Sequence, residues 1–292
     1  TPASAARSDA GLMPRAAVLG SPVGHSLSPV LHQVAYAVCG LSDWSYGRRE
    51  VTMAELADVV TSLDDSWRGL SLTMPLKEVA FDVAETVTDI ARQAGAINTL
   101  VRRGDGGWDA TNTDVQGIVE ALRPHLTTEH LEGSFEVIGA GATARSAILA
   151  ARELGFTAVG IRARRREAAD DLWAWARESG FATASAGPIT TLGSNERVVV
   201  STVPPAAAQS MADAIPAIRG PGPKPILLDV VYANWPTPPA REATRLGWTV
   251  VSGLDMLVHQ AAAQFELFTG MGAPVDAMFA AGRAALASET RS

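Results

Sequence analysis

The chain has 292 residues, 47% hydrophobic and 19% charged, and 24 Lys+Arg against 31 Asp+Glu leave a net charge of −7. Such a length holds one large domain or two ordinary ones, and the composition excludes a mainly disordered chain. The acidic balance speaks against nucleic acid or an anionic membrane as partner.

The first 13 residues lack the apolar stretch of a signal peptide and read as a loose tail or an expression remnant. No apolar run reaches the roughly 18 residues of a spanning helix. The single cysteine, Cys39, permits no internal disulfide and fits a reducing, cytoplasmic setting. Arg15 to Gly20 is an apolar run ending in glycine, a buried-strand pattern. Residues 28–39 read as a helix entered through Ser28-Pro29, a capping serine followed by proline. Trp44 to Val51 suggests a strand and 53–63 a helix; Gly69 to Thr73 is strand-like and stops at Pro75. Residues 78–87 have helical character, and Ala96 to Val101 is a strand. A second alternation begins near 134. Phe135–Gly139, Thr157–Ile161, Val198–Ser201, Ile226–Asp229 and Thr249–Ser252 are strands, with helices at 142–154 and 165–179. From Leu254 to about Ala287 two helices are broken at Gly270 to Pro274. Strands alternating with helices throughout predict an α/β protein.

Val137-Ile-Gly139-Ala140-Gly141-Ala142-Thr143-Ala144 fits the strand, Gly-x-Gly-x-x-Gly/Ala, helix fingerprint of a dinucleotide fold. The first glycine makes the turn, the second admits a pyrophosphate, and Ala144 lets helix and strand pack closely. At the end of the next strand an acid would select NAD; the chain instead carries Arg162, Arg164, Arg165 and Arg166. Guanidinium planes suit a 2′-phosphate, so NADP is the expected cofactor. A basic helix start is otherwise unfavourable against the helix dipole.

The chain holds 22 arginines and only two lysines, Lys77 and Lys224. A lysine kept against that bias points to a need for an amine, because arginine stays protonated and lysine can be tuned. Lys224 sits in a Gly/Pro turn; Lys77 does not. Ser26 and Ser28 lie beside a helix start, where capping accounts for Ser28 but not Ser26. Asp114 follows Asn112-Thr113 at another helix start and could be a plain cap. The five histidines show no ligand-like clustering, so no metal is expected; His25 neighbours the serine pair.

The loop Gly20–His32, Leu70–Lys77, Gly95–Thr99, Asn112–Gly117, Gly139–Ala144, Ser201–Pro204, Asp229–Tyr232, Thr237-Pro238 and Gly253–Gln260 occur in an order that resembles the shikimate dehydrogenase family. The resemblance runs from about residue 15 to 275. It implies NADPH-dependent reduction of 3-dehydroshikimate to shikimate in aromatic amino-acid biosynthesis, by a monomer or homodimer. It also implies a catalytic pair, Lys77 and Asp114, and substrate contacts from Ser26, Ser28, Thr73, Asn98, Tyr232 and Gln260. Cofactor contacts would come from Gly139 to Ala144, Arg162, Arg166, Thr202, Val203 and Gly253. The implied architecture is an N-terminal α/β substrate domain, 15–115 completed by 254–288, and a doubly wound Rossmann-like domain, 116–253. Two crossings, near 115 and 254, would let them hinge. The chain departs from the family pattern at Ser71, Gln33 and Asn234, and at Ile161 and Ala163 beside Arg162. Quinate or aminoshikimate dehydrogenases and a non-catalytic NADP-binding regulator are the alternatives; the last would be expected to lose Lys77, Asp114 or the serines, all present.

Overall fold

The computed structural model describes residues 13–190, 192, 196–217 and 222–289. All of the expected tail except Met13 lies outside them. The described strands form two six-stranded sheets.

The first sheet contains β1 (Arg15–Gly20), β2 (Ser45–Glu50), β3 (Trp67–Leu72), β4 (Thr86–Val87), β5 (Thr99–Arg102) and β6 (Trp108–Thr111). Their order is β2-β1-β3-β5-β6-β4. The β1 pairs are parallel, whereas β5 runs antiparallel to both β3 and β6. The expected helix over 78–87 is absent. A 3-10 turn, Val79–Val83, and the short strand β4 occupy the segment. Val79, Val83 and Val87 are stiff at χ1 and favour extended backbone, and β4 finds a partner in β6. Strand β6 gave little sequence signal because Trp-Asp-Ala-Thr is short. Its pairing is set by the turn before it, where Asp105 accepts a bond from the Gly107 amide at 3.1 Å.

The second sheet contains β7 (Ser134–Ile138), β8 (Ala158–Ala163), β9 (Thr183–Pro188), β10 (Glu196–Ser201), β11 (Ile226–Asp229) and β12 (Thr249–Ser252). All pairs are parallel, in the order β12-β11-β10-β7-β8-β9. Its inner strands are largely apolar on both faces because helices cover both, with Glu136 on β7 and Glu196 on β10 as buried exceptions. Strand β9, Thr-Ala-Ser-Ala-Gly-Pro, lacked the large apolar residues that mark such strands, and only its pairing with β8 identifies it. The chain winds outward in opposite directions from β7 and β10. The loops after these two strands therefore part and leave a crevice at the carboxyl edge.

Two apolar layers close the first sheet. One face holds Ala17, Leu19, Leu70, Leu72 and Leu100; the other holds Ala16 and Val18 under Leu31, Tyr36, Phe265 and Met278. The helices Gly253–Thr269 and Val275–Glu289 supply Phe265 and Met278, so the end of the chain returns to cover the first sheet. Helix Asp114–Leu122, which leaves the first sheet, lies along Gly253–Thr269, which returns to it. Their contact is close: a Cβ at Gly117 would stand 2.8 Å from the Met256 carbonyl and 2.9 Å from the Gln260 Cβ. Val115, Ile118 and Leu122 also join the core formed by helix Ala142–Glu153 and strands β7, β8 and β10. Each large apolar side chain so buried contributes about 1.5–3 kcal/mol.

Candidate active site

A cavity of about 560 Å³ opens between the two sheets. Lys77, Asp114, Ser26, Ser28, Thr73, Asn98, Tyr232 and Gln260 all line it. They come from six separate stretches of chain and from both sides of the crevice.

Lys77 Nζ donates to Asp114 Oδ2 at 2.5 Å, with the two side chains 16% and 6% exposed. Asp114 is the first residue of its helix, yet its carboxylate does not cap it. Asn112 Oδ1 takes the Asp114 amide at 2.9 Å, which leaves both Asp114 oxygens facing the cavity residues. Oδ1 accepts from Asn98 Nδ2 at 2.9 Å. That amide also donates to Thr113 Oγ1 at 2.9 Å and to Gln260 Oε1 at 3.5 Å. Asn98 Oδ1 accepts from the Thr113 amide at 2.8 Å, so the Asn98 side chain is fixed at both ends. A proton donor, a carboxylate and two amides thus stand in one hydrogen-bonded set.

The serine pair is arranged differently from the capping expectation. Leu27 is the N-cap and Ser28 the first helical residue, so Ser28 does not cap the helix. Ser26 Oγ instead accepts the Ser28 amide at 3.3 Å and donates to Ser28 Oγ at 3.2 Å. Two adjacent hydroxyls suit a carboxylate or a polyol. His25, beside them, also reaches the cavity.

Sequence reasoning missed Ser71 and Gln264 as lining residues. Tyr46 Oη donates to Ser71 Oγ at 2.6 Å, and Ser71 donates to Gln264 Oε1 at 2.7 Å. Gln264 Nε2 then donates to Thr99 Oγ1 at 2.9 Å, and Thr99 to Asn98 Oδ1 at 2.7 Å. A polar chain therefore runs from β2 through the core to Asn98. The available signal was spacing: Gln264 lies one helical turn beyond Gln260. His32 stacks on Tyr46 with ring centres 4.0 Å apart, and complete burial pushes its imidazole down to about 3. It is a neutral core residue there.

On the opposite wall, Thr143 and Gly253 line the cavity and the glycine turn lies behind them. Gly139 has φ +124°, and a Cβ there would meet Thr202 Oγ1 at 2.2 Å. Thr202 itself is held by the Ile138 carbonyl at 2.9 Å. Gly141 differs: a Cβ there would have no heavy atom within 4 Å. It is the N-cap of helix Ala142–Glu153, whose first amides lack partners within the helix, so the space in front can hold a phosphate. Ala144 is fully buried against the sheet, as the fingerprint requires; Ala140 and Ala142 are partly buried beside it. Val203 is buried after β10.

The arginines divide. Arg164, Arg165 and Arg166 are exposed at the start of helix Arg166–Glu178, and Arg166 pairs with Asp170 at 3.0 Å. Arg162 turns inward, 11% exposed, and meets Glu136 at 3.2 Å. Arg145 crosses from the glycine-turn helix to the first sheet's side: it donates to the Ala94 carbonyl and to Glu78, each at 2.6 Å. An open Gly141, a free helix start and a cationic surface at the next strand's end together fit a phosphorylated dinucleotide.

Among the described residues no group of three or more His, Cys, Asp or Glu could hold a metal, and no described helix is long and apolar enough to cross a membrane. The model of the shikimate dehydrogenase substrate binding domain matches residues 18–100, and that of the shikimate 5′-dehydrogenase C-terminal domain matches 253–281. A shikimate dehydrogenase (NADP(+)) from Methylobacterium radiotolerans is 36% identical over 266 residues, 88% of this chain and 92% of that protein. The pentafunctional AROM polypeptide of Eremothecium gossypii is 32% identical over 274 residues; the match takes in 90% of this chain but spans 17% of that polypeptide. The crystal structure of Mycobacterium tuberculosis shikimate dehydrogenase superposes with a TM-score of 0.83 at 41% identity, covering 93% of this chain and 99% of that one.

Proposed function

The chain belongs to the shikimate dehydrogenase family, and we propose that it catalyses the NADP-dependent, reversible reduction of 3-dehydroshikimate to shikimate. The observation that carries this is the Lys77–Asp114 pair set in a cavity with Ser26, Ser28, Asn98 and Gln260, opposite the glycine turn.

Bound nicotinamide supplies or accepts the hydride. Lys77 Nζ hydrogen-bonds the substrate oxygen at the reacting carbon, donating the proton that the new alkoxide needs and stabilising its charge. Asp114 holds the amine by its Oδ2 and takes a bond from a neighbouring substrate hydroxyl. Asn98 keeps Asp114 in place and, with Gln260 and Thr73, binds the ring hydroxyls. The Ser26 and Ser28 hydroxyls bind the ring carboxylate at the far end, which orients the reacting carbon toward the glycine turn. Tyr232 closes the substrate side. Gly139 to Ala144, Thr202, Val203 and Gly253 hold the dinucleotide, and the arginines from Arg162 to Arg166 read its 2′-phosphate.

The substrate side then consists of 15–115 with 254–288, and the dinucleotide side of 116–253. The protein works in the cytoplasm as a monomer or homodimer on a small-molecule substrate. The test is a panel of shikimate, quinate and aminoshikimate, each with NADP and NAD, followed by the absorbance of the NADPH or NADH formed. The highest kcat/KM is expected with shikimate and NADP. Preference for quinate or aminoshikimate would reassign the substrate; no turnover with any would favour the regulator.

A further inference from the structure

Strand β7 carries an acid, Glu136, in the middle of an apolar stretch, only 3% exposed. Its place exists because β8 has a glycine opposite it. Glu136 pairs in register with Gly160, and a Cβ there would lie 1.9 Å from both carboxylate oxygens. Two residues on, Arg162 points to the same face. Its Nη2 meets Glu136 Oε2 at 3.2 Å, and its Nη1 donates to Ser185 Oγ and to its neighbour's carbonyl, Ile161 O, each at 3.2 Å. The backbone of Arg162 is tied to the phosphate turn, since its carbonyl accepts the Gly139 amide at 2.8 Å. A guanidinium at the edge of the dinucleotide crevice is thus drawn into the sheet by a buried carboxylate.

We infer that Glu136 is a positioning residue that competes with a dinucleotide's 2′-phosphate for Arg162 and so tunes the preference for NADP over NAD. This rests on the cofactor assigned above. Burial pushes the Glu136 carboxyl up to about 7, Arg162 opposes the rise, and Glu196 on β10, itself buried, adds to it. Ser134 on the same strand also opposes the rise. Arg162 and Glu196 are the charged groups that act on the carboxyl. Above pH 7 the ionised carboxylate holds Arg162 inward and adds negative charge near the phosphate. Below it the neutral carboxyl releases the guanidinium outward. NADP affinity then falls as pH rises through 7, and NAD affinity does not.

The experiment measures Kd for NADP and for NAD by titration calorimetry on the whole chain at pH 6.5 and pH 8. For the natural protein the NADP Kd, taken relative to that of NAD, should be about four-fold weaker at pH 8. That is the size expected if the phosphate moves the carboxyl midpoint from about 7 to about 8. Glu136→Gln should bind NADP more tightly than the natural protein at pH 8 and lose the pH dependence. A flat ratio in the natural protein overturns the inference with no variant needed. Weaker NADP binding in Glu136→Gln, or equal changes for both cofactors, overturns it as well and makes Glu136 a structural counter-ion. A natural protein that binds NAD as tightly as NADP at both pH values overturns the cofactor assignment itself, a different result from a clear NADP preference that ignores pH.

Discussion

Replacing Lys77 by alanine separates catalysis from stability. In the proposed reaction the amine is the proton donor, and it is the partner of a carboxylate that is 6% exposed, 2.5 Å away. Without it, Asp114 keeps one side-chain donor, Asn98 Nδ2 at 2.9 Å. Breaking a fully buried pair costs about 3–5 kcal/mol. Lys77 is 16% exposed, so water enters where the amine was and the loss falls toward the lower end, about 3 kcal/mol or less. Loss of a positioned acid lowers kcat by about 10²–10⁴-fold, or about 2.7–5.5 kcal/mol of barrier. The double variant Lys77→Ala/Asp114→Asn removes the stranded charge, so it should recover most of the stability and none of the activity. Urea unfolding gives the first quantity and steady-state NADPH absorbance the second. Lys77→Arg should rescue little, because guanidinium does not give up its proton. A folded Lys77→Ala enzyme turning over within three-fold of the natural protein would refute the assignment, whatever its stability.

Other outcomes follow from the same geometry. Changing Arg164, Arg165 and Arg166 to alanine should raise KM for NADP by about 10-fold, the low end for lost charge-assisted bonds because these side chains are exposed, and leave KM for NAD nearly unchanged; equal losses would mean they do not read the phosphate. His32 gives a pH signature. Its folded value, about 3, lies below its unfolded value of about 6.5, so its contribution is complete above 6.5 and is lost as pH falls toward 3. By pH 4.5 the loss is about 2.7 kcal/mol, and His32→Phe should show that much less acid destabilisation in urea titrations at pH 7 and 4.5. Tyr46→Phe removes the bond to Ser71 at the head of the chain leading to Asn98, and should raise KM for shikimate a few-fold with NADP binding unaltered, as steady-state kinetics would show.

The sequence made the α/β alternation legible because the inner strands are apolar runs, and because Gly139 and Ala144 are demanded by a turn and by close packing. It did not reveal β4, β6 or β9. Those strands are short or built of small residues, and only their partners stabilise them. Eight of the polar residues that line the cavity could be named from motifs, but not Ser71 or Gln264, and not the bonds among them. That the Asn112 side chain, rather than that of Asp114, takes the first amides of the helix depends on side-chain direction, and so does the Ser26–Ser28 contact. Arg162 stands where the cofactor pattern expects it, yet its inward turn depends on Glu136 and Gly160, two residues on neighbouring strands that local pattern cannot connect.

The contact of helix Asp114–Leu122 with helix Gly253–Thr269 has a mechanical consequence. The chain passes between the two halves twice, and both passages lie side by side, pressed together at Gly117 and Gln260. Any rotation of one half against the other would turn about this one line, not about two tethers at opposite rims. Rotation about a line moves each atom in proportion to its distance from that line. Asp114 and Gln260, on these two helices, are each bonded to Asn98, and Arg145 ties the glycine-turn helix to Glu78, the neighbour of Lys77. A swing about this line would open or narrow the cavity while leaving the bonds of Asn98 to Asp114 and Gln260 assembled.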